Sequence, residues 1–175
     1  KPVIGEKYDC SLVNSDKMFF HHPDKEIDLT LMPINIVTNK LHELGKDPFY
    51  KAIPDDLIPD EKMWKEFDAI EELIFVGYPN GIYDSKNLIP LIRKGMTSTP
   101  LSLDYEGRPL FLIDASVFHG SSGSPVFLYN SGSYKTKDGN MYIGKNRIVF
   151  CGVISQTLIR NKEGELKFIE IPTNI

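Results

Sequence analysis

Residues 120–126 have the sequence GSSGSPV, in which Ser122 lies between small residues just before an apolar segment. Glycine and serine at this density predict a tight turn that leads into a strand. A nucleophilic serine needs an exposed hydroxyl, with backbone N–H groups beside it that can hold a developing oxyanion. On its own, such a stretch is more often an ordinary turn, so its interpretation depends on the rest of the chain.

A second informative segment, residues 26–34, has the sequence EIDLTLMPI. Apolar residues at positions 27, 29 and 31 alternate with polar ones, which predicts a half-buried strand over residues 27–34. Asp28 lies at the start of this strand. A buried aspartate needs a hydrogen-bond partner, and a histidine N–H is a common one. The alternative is that Asp28 caps a turn or remains solvated.

Taken together, the two segments resemble those of the chymotrypsin-like serine peptidases, particularly the bacterial members with a GxSGSPV serine loop. In that family the aspartate and the serine lie roughly 93 residues apart, and here Asp28 and Ser122 are 94 positions apart. The resemblance covers residues 16–175. Four further segments share it, namely residues 71–79, 90–95, 113–116 and 152–155.

The resemblance implies an all-β fold of two six-stranded antiparallel Greek-key barrels, the first of them incomplete in this chain. We expect residues 1–34 to belong to the first barrel, 35–68 to connect the barrels, and 69–175 to form the second. Turn signals and alternation predict a hairpin of residues 8–13 and 17–20 and a mobile loop over 130–140. Helices are predicted at 37–44 and 60–67. Further strands are predicted at 72–78, 89–98, 109–114, 125–129, 141–143, 147–157 and 165–170.

The family's catalytic roles transfer to specific positions. By resemblance, Ser122 would be the nucleophile of a serine endopeptidase, and Asp28 would orient the histidine base. The backbone N–H groups of Gly120 and Ser122 would form the oxyanion hole. Ser121 replaces the aspartate or asparagine that often precedes the nucleophile, which argues against activation by a buried N-terminal ammonium. Ser155 either supports the catalytic aspartate or is an ordinary strand serine.

The same resemblance implies a primary specificity pocket lined by Ser116, Val117, Ile154, Ser155 and Thr157. None of these side chains carries a charge, so small or medium apolar substrate side chains are expected. Relatives that cleave after glutamate carry a histidine at the position of Ile154. His119 would border the pocket mouth and touch substrate, or else remain a solvated loop residue.

No histidine in the chain matches the family's histidine motif. His21 and His22 lie seven and six positions before Asp28, His42 lies in a helix-like stretch, and His119 lies three positions before Ser122. We therefore expect the base upstream of residue 1, in a longer protein. The alternative is a catalytically inactive domain of the same fold with a binding or regulatory role.

Composition narrows the class of partner. A net charge of −4 and a pI near 5.6 give no reason to expect nucleic acid or an anionic membrane as partner. No apolar run approaches the length of a membrane span. Cys10 and Cys151 are expected to be buried thiols, which favours a reducing compartment such as the cytoplasm. A protein or peptide substrate is expected, with no metal and no cofactor; the sequence leaves the oligomeric state open.

Overall fold

The computed structural model describes residues 6–11, 15–160 and 166–170. The chain divides into two compact units, Lys1–Ala52 with Asp84–Ile89 and Ile53–Tyr83 with Pro90–Ile175. Strands dominate the regular structure of the described residues, as the sequence predicts. The two closed barrels, and the division after residues 34 and 68, stay predictions.

The first unit carries little regular structure. Strands β1 (Phe20–His21) and β2 (Thr30–Leu31) pair antiparallel, and helix α1 (Asn35–Glu43) follows them. The strand predicted over 27–34 is therefore only two residues long. Pro33 has no N–H to donate to a ladder, which ends the strand early.

The hairpin predicted for residues 8–13 and 17–20 is wrong where it can be judged. Ser15–Met18 form a single 3₁₀ turn instead of a β-turn and strand. Residues 12–14 of that prediction lie outside the described residues.

The second unit contains one α-helix, two 3₁₀ helices (Asp55–Leu57 and Pro79–Gly81) and nine strands among the residues that the structure describes. Helix α2 (Glu61–Glu66) is capped by Asp60, whose side chain accepts a hydrogen bond from the Met63 N–H at 2.7 Å. The predicted helices at 37–44 and 60–67 thus match α1 and α2 within two residues. The strands are β3 (Glu72–Gly77), β4 (Leu91–Thr97), β5 (Ile113–Ala115), β6 (Pro125–Asn130), β7 (Ser133–Lys135), β8 (Met141–Ile143), β9 (Arg147–Val153), β10 (Gln156–Arg160) and β11 (Leu166–Glu170).

Five of these strands form one antiparallel sheet in the order β5-β4-β3-β6-β9. Side chains of β3 alternate between the two faces, and Leu73 and Phe75 are completely buried on one of them. This face packs on the core of the second unit. The core residues are Phe67, Leu73, Phe75, Leu101, Val126, Leu128, Val149, Cys151 and Ile154.

The loop predicted over 130–140 is instead largely a hairpin. Strands β7 and β8 pair antiparallel, and the rings of Tyr134 and Tyr142 stack with centroids 4.8 Å apart. A three-residue strand shows too little alternation to stand out from serine, glycine and lysine. The stacked pair of tyrosines across the two strands stabilises this hairpin, and the composition of residues 130–140 gives no sign of it.

The strand order determines the path of the segment between β5 and β6. Strand β5 lies at an edge of the sheet, whereas β6 lies on the far side of β4 and β3. The register places the end of β3 beside the start of β4 and the start of β6. Residues 116–124 must therefore cross this end of the sheet, where they meet residues of both intervening strands.

Candidate functional site

The crossing segment ends in a sharply folded turn, residues 118–124, which we call the serine loop. Gly120 and Gly123 adopt positive φ angles of 74° and 78°. These angles lie in the left-handed region, which glycine enters without the steric cost that other residues incur. The turn predicted from the glycine and serine content is therefore present, and the two glycines allow it.

Ser121 is the centre of the hydrogen bonding within the serine loop, and its side chain is completely buried. Its N–H donates to the Phe118 carbonyl at 3.1 Å, and its hydroxyl accepts from the Phe118 N–H at 3.3 Å. Its carbonyl accepts from the Ser124 N–H at 3.0 Å. Ser121 thus bonds to Phe118 before Ser122 and to Ser124 after it, and these bonds define the shape of the turn around Ser122.

Ser122 is the half-buried serine of the loop, with its hydroxyl 3.5 Å from the carbonyl oxygen of Ser155. A contact of this length is at best a weak hydrogen bond, so the Ser122 hydroxyl is largely uncommitted. In the described part of the chain, the N–H groups of His119, Gly120 and Ser122 have no acceptor, whereas the other four N–H groups of the loop do. Two of these three free donors are those predicted for an oxyanion hole.

The loop is fastened to its surroundings by three backbone hydrogen bonds. The Gly123 N–H donates to the Ile154 carbonyl at 2.7 Å, and the Ile154 N–H donates to the Ser124 carbonyl at 3.0 Å. On the other side, the Asn80 N–H donates to the His119 carbonyl at 2.7 Å. Ser122 is therefore held between the segment after β9 and the turn after β3.

Two glycines allow close approach around the loop. A Cβ on Gly120 would lie 2.9 Å from the Asn80 nitrogen, and a Cβ on Gly77 would collide with the Ser124 hydroxyl. Ser124 is itself almost fully buried, and it directly precedes β6. The end of β3 therefore supports the serine loop directly.

Arg93 on β4 is the residue near the loop to which the sequence assigned no role. Its Nη2 donates to the Ser121 hydroxyl at 3.0 Å, and its Nη1 donates to the Ser116 carbonyl at 3.2 Å. The Arg93 Cζ lies 4.4 Å from the centroid of the Phe75 ring. The two-residue period of a strand could have identified Arg93 from the sequence, because position 93 lies on the same, inward face of β4 as Leu91 and Gly95.

The predicted pocket residues lie in different environments. Ser116 is exposed and Val117 packs against the core, while Ile154 is 6% exposed and part of that core. Ser155 is half-buried and lies beside Ser122. Thr157 lies in β10, opposite Ile169 of β11. His119 is an exposed residue of the serine loop. Their common role as a pocket stays a prediction.

Asp28 lies two positions before β2, in the first unit, and its side chain is exposed. No hydrogen bond or ion pair joins it to the residues that the structure describes. Its pairing with a histidine that serves Ser122 stays a prediction.

The three histidines of the first unit have local contacts. The His21 Nδ1 lies 2.9 Å from the Thr30 hydroxyl, and the His22 Nδ1 accepts from the Asp24 N–H at 3.1 Å. The His42 Nε2 lies 3.5 Å from an Asp47 carboxylate oxygen.

Other kinds of site receive no support within the described ranges. No group of three or more histidine, cysteine, aspartate or glutamate side chains is arranged to hold a metal ion there. None of the helices described there has the length and apolar character that crossing a membrane requires. The thiols of Cys10 and Cys151 are both free; Cys151 is buried as expected, whereas Cys10 is only partly buried.

Comparison with protein-family models, with curated proteins and with solved structures found no significant match to this chain.

Proposed function

We propose that this chain belongs to a serine endopeptidase of the chymotrypsin-like type, in which Ser122 forms an acyl-enzyme with the substrate. The observation that carries the proposal is the contrast between neighbours in one turn. Ser121 is buried and fully engaged, whereas Ser122 keeps an uncommitted hydroxyl beside two free N–H donors. A serine with these surroundings suits nucleophilic attack better than a structural role.

The proposed reaction follows the usual order of acyl transfer. A base removes the proton of the Ser122 hydroxyl as its oxygen attacks the scissile carbonyl carbon. The N–H groups of Gly120 and Ser122 would stabilise the resulting oxyanion, and loss of one such donor typically costs about 3–4 kcal/mol of transition-state stabilisation. The amine then leaves with a proton, and water hydrolyses the ester on Ser122.

The base of the proposed mechanism is a histidine, and no histidine of this chain matches the family's histidine motif. We propose a histidine encoded upstream of residue 1, oriented by Asp28. Two closed six-stranded barrels complete the proposed architecture. This arrangement needs no cofactor.

The test is covalent labelling of the full-length protein with a fluorophosphonate, with the modified residue located by mass spectrometry. We expect labelling at Ser122 that disappears in Ser122→Ala. Ser131→Ala, which removes an exposed serine from the turn between β6 and β7, is the matched control and should label like the wild type.

Two results would contradict the proposal. The first is equal labelling of wild type and Ser122→Ala. The second is no labelling although the upstream histidine is present, which would favour the inactive binding or regulatory domain instead.

A further inference from the structure

We propose that Arg93 is a positioning residue for the nucleophile, holding the serine loop in its reactive shape through the hydroxyl of Ser121. This inference rests on the proposed function of Ser122 and adds to it the residue that orients the loop. Arg93 belongs to β4. In the chain, β5 and the crossing segment lie between Arg93 and Ser122.

Both terminal nitrogens of Arg93 donate hydrogen bonds to the segment that leads into Ser122. The Nη2 and Nη1 groups donate to the Ser121 hydroxyl and the Ser116 carbonyl, at 3.0 and 3.2 Å. Its planar guanidinium carries donors in a fixed fork, so two such bonds define the position of the segment better than one would. No other side chain in the described residues bonds to the loop and to the residues before it at once.

Aromatic rings fix the guanidinium itself. Its Cζ lies 4.4 Å from the centroid of the core ring of Phe75 and 5.9 Å from the centroid of the Phe118 ring in the loop. Such contacts favour a charged guanidinium over a neutral side chain of similar length. Through Phe75, the guanidinium of Arg93 therefore packs against the most buried strand of the sheet, β3.

The charge of Arg93 has no carboxylate partner among the described residues. Burial lowers the pKa of Arg93, but arginine stays protonated in proteins. Its Nε atom is buried and has no acceptor in the part of the chain that the structure describes, which is uncommon for a buried donor. A full positive charge is thus kept at the base of the serine loop.

Arg93 acts through Ser121 because Ser121 connects the guanidinium to the backbone of the turn. The hydroxyl that accepts from Arg93 also accepts from the Phe118 N–H, and the main chain of Ser121 closes the turn onto Ser124. Movement of Ser121 would rotate the adjoining peptide, which carries the N–H of Ser122. Small errors in such geometry can lower rates roughly 100-fold.

The experiment compares Arg93→Met, Arg93→Lys, Ser121→Ala and the Arg93→Met/Ser121→Ala double variant in the full-length protein. Lys94→Met is the matched control, because Lys94 is the next residue of β4, faces the other way and is well exposed. The readouts are the second-order rate of fluorophosphonate labelling at Ser122, and kcat and KM for a peptide substrate. Thermal unfolding identifies any variant that does not fold.

We expect Arg93→Met to lower the labelling rate and kcat roughly 10- to 100-fold, with KM changed less than about threefold. Ser121→Ala should fall in the same range, and the double variant should be no slower than the slower single one. Arg93→Lys should recover part of the loss, because an ammonium replaces one bond of the fork. Lys94→Met should stay within about twofold of the wild type.

Each contrary result has a distinct meaning. A wild-type protein that does not label at Ser122 overturns the proposed function, and this inference with it. Wild-type labelling at Ser122 with an equally fast, folded Arg93→Met overturns the positioning role alone. Losses that add in the double variant, or that occur equally in Lys94→Met, also overturn it. If Arg93→Met does not fold, a Ser121→Ala variant with wild-type kcat overturns it.

Discussion

The carboxylate of Glu71 accepts a 2.7 Å hydrogen bond from Nη2 of Arg147, and both side chains are less than a tenth exposed. The other Glu71 oxygen accepts from the Asp68 N–H at 3.0 Å, and the Arg147 Nε donates to the Asn130 side chain at 2.9 Å. This pair joins the residue before β3 to the first residue of β9. Because each charge is buried, each depends on the other for compensation.

Glu71→Gln is therefore expected to destabilise the fold by about 3–5 kcal/mol, the usual cost of leaving one buried charge unpaired. Glu72→Gln is the control, since the adjacent Glu72 pairs with Lys94 at 2.9 Å while both remain more than half exposed. That variant should lose about 1 kcal/mol or less. Urea unfolding measures both, and equal losses would show that burial of the Arg147 pair has no such effect.

Gly120→Ala should distort the serine loop. Its φ of 74° and the 2.9 Å approach to Asn80 both oppose a Cβ, so a loss of about 2–4 kcal/mol is expected, together with slow labelling of Ser122. Gly139→Ala has a similar φ of 87° but open space around the position, so it isolates the strain term. If the two alanines cost the same stability, the contact with Asn80 imposes no constraint.

Gly77→Ala should destabilise the second unit by about 1–3 kcal/mol, because the new methyl group would collide with the Ser124 hydroxyl. Removing that hydroxyl offers a rescue. Ser124→Ala in the Gly77→Ala background should recover most of the lost stability in chemical denaturation. Additive losses in the double variant would contradict the proposed contact.

Cys151 should resist alkylation in the native state. Burial raises the pKa of Cys151 from an ordinary 9.0 to about 11, so little of the reactive thiolate forms near pH 8. Iodoacetamide at pH 8 should modify the partly exposed Cys10 first, and Cys151 only after unfolding, as read by peptide mass spectrometry. Equal modification rates in the folded protein would contradict the burial of Cys151.

The same shift predicts a pH dependence of stability. A raised pKa means that the folded state favours the neutral thiol, so this contribution is complete below pH 9 and is lost as the pH rises towards about 11. A Cys151→Ala variant should lack that part of the decline in denaturation experiments between pH 8 and 11.

Substrate profiling tests the proposed pocket. Ser116, Val117 and Ile154 provide no negative counter-charge, and the positively charged Arg93 donates to the Ser116 carbonyl, so cleavage after lysine or arginine should be strongly disfavoured. Discrimination among alanine, valine and leucine should be weak, since one methylene is worth only about 1–3 kcal/mol in an apolar pocket. A peptide library cleaved mainly after lysine or arginine would contradict this assignment.

Local features were predictable because they depend on neighbours in the sequence. The apolar run within 72–78 predicts β3, the helix-like run at 60–67 predicts α2, and glycine and serine predict the turn at 120–126. Two short strands, β7 and β2, were misjudged. One is stabilised by a cross-strand ring pair, and the other is cut short by a proline.

The contacts that shape the candidate site depend on tertiary structure alone. The sequence singled out Ser122 by the chemistry of its turn, but not the contact of Ser121 with Arg93 or of Ser124 with Gly77. These partners are far apart in the chain, and they meet because β5 and β6 lie on opposite sides of β4 and β3. The segment that joins β5 to β6 must cross the end of the sheet, and hydrogen bonding and steric fit at that crossing depend on strand order, which residue spacing does not encode.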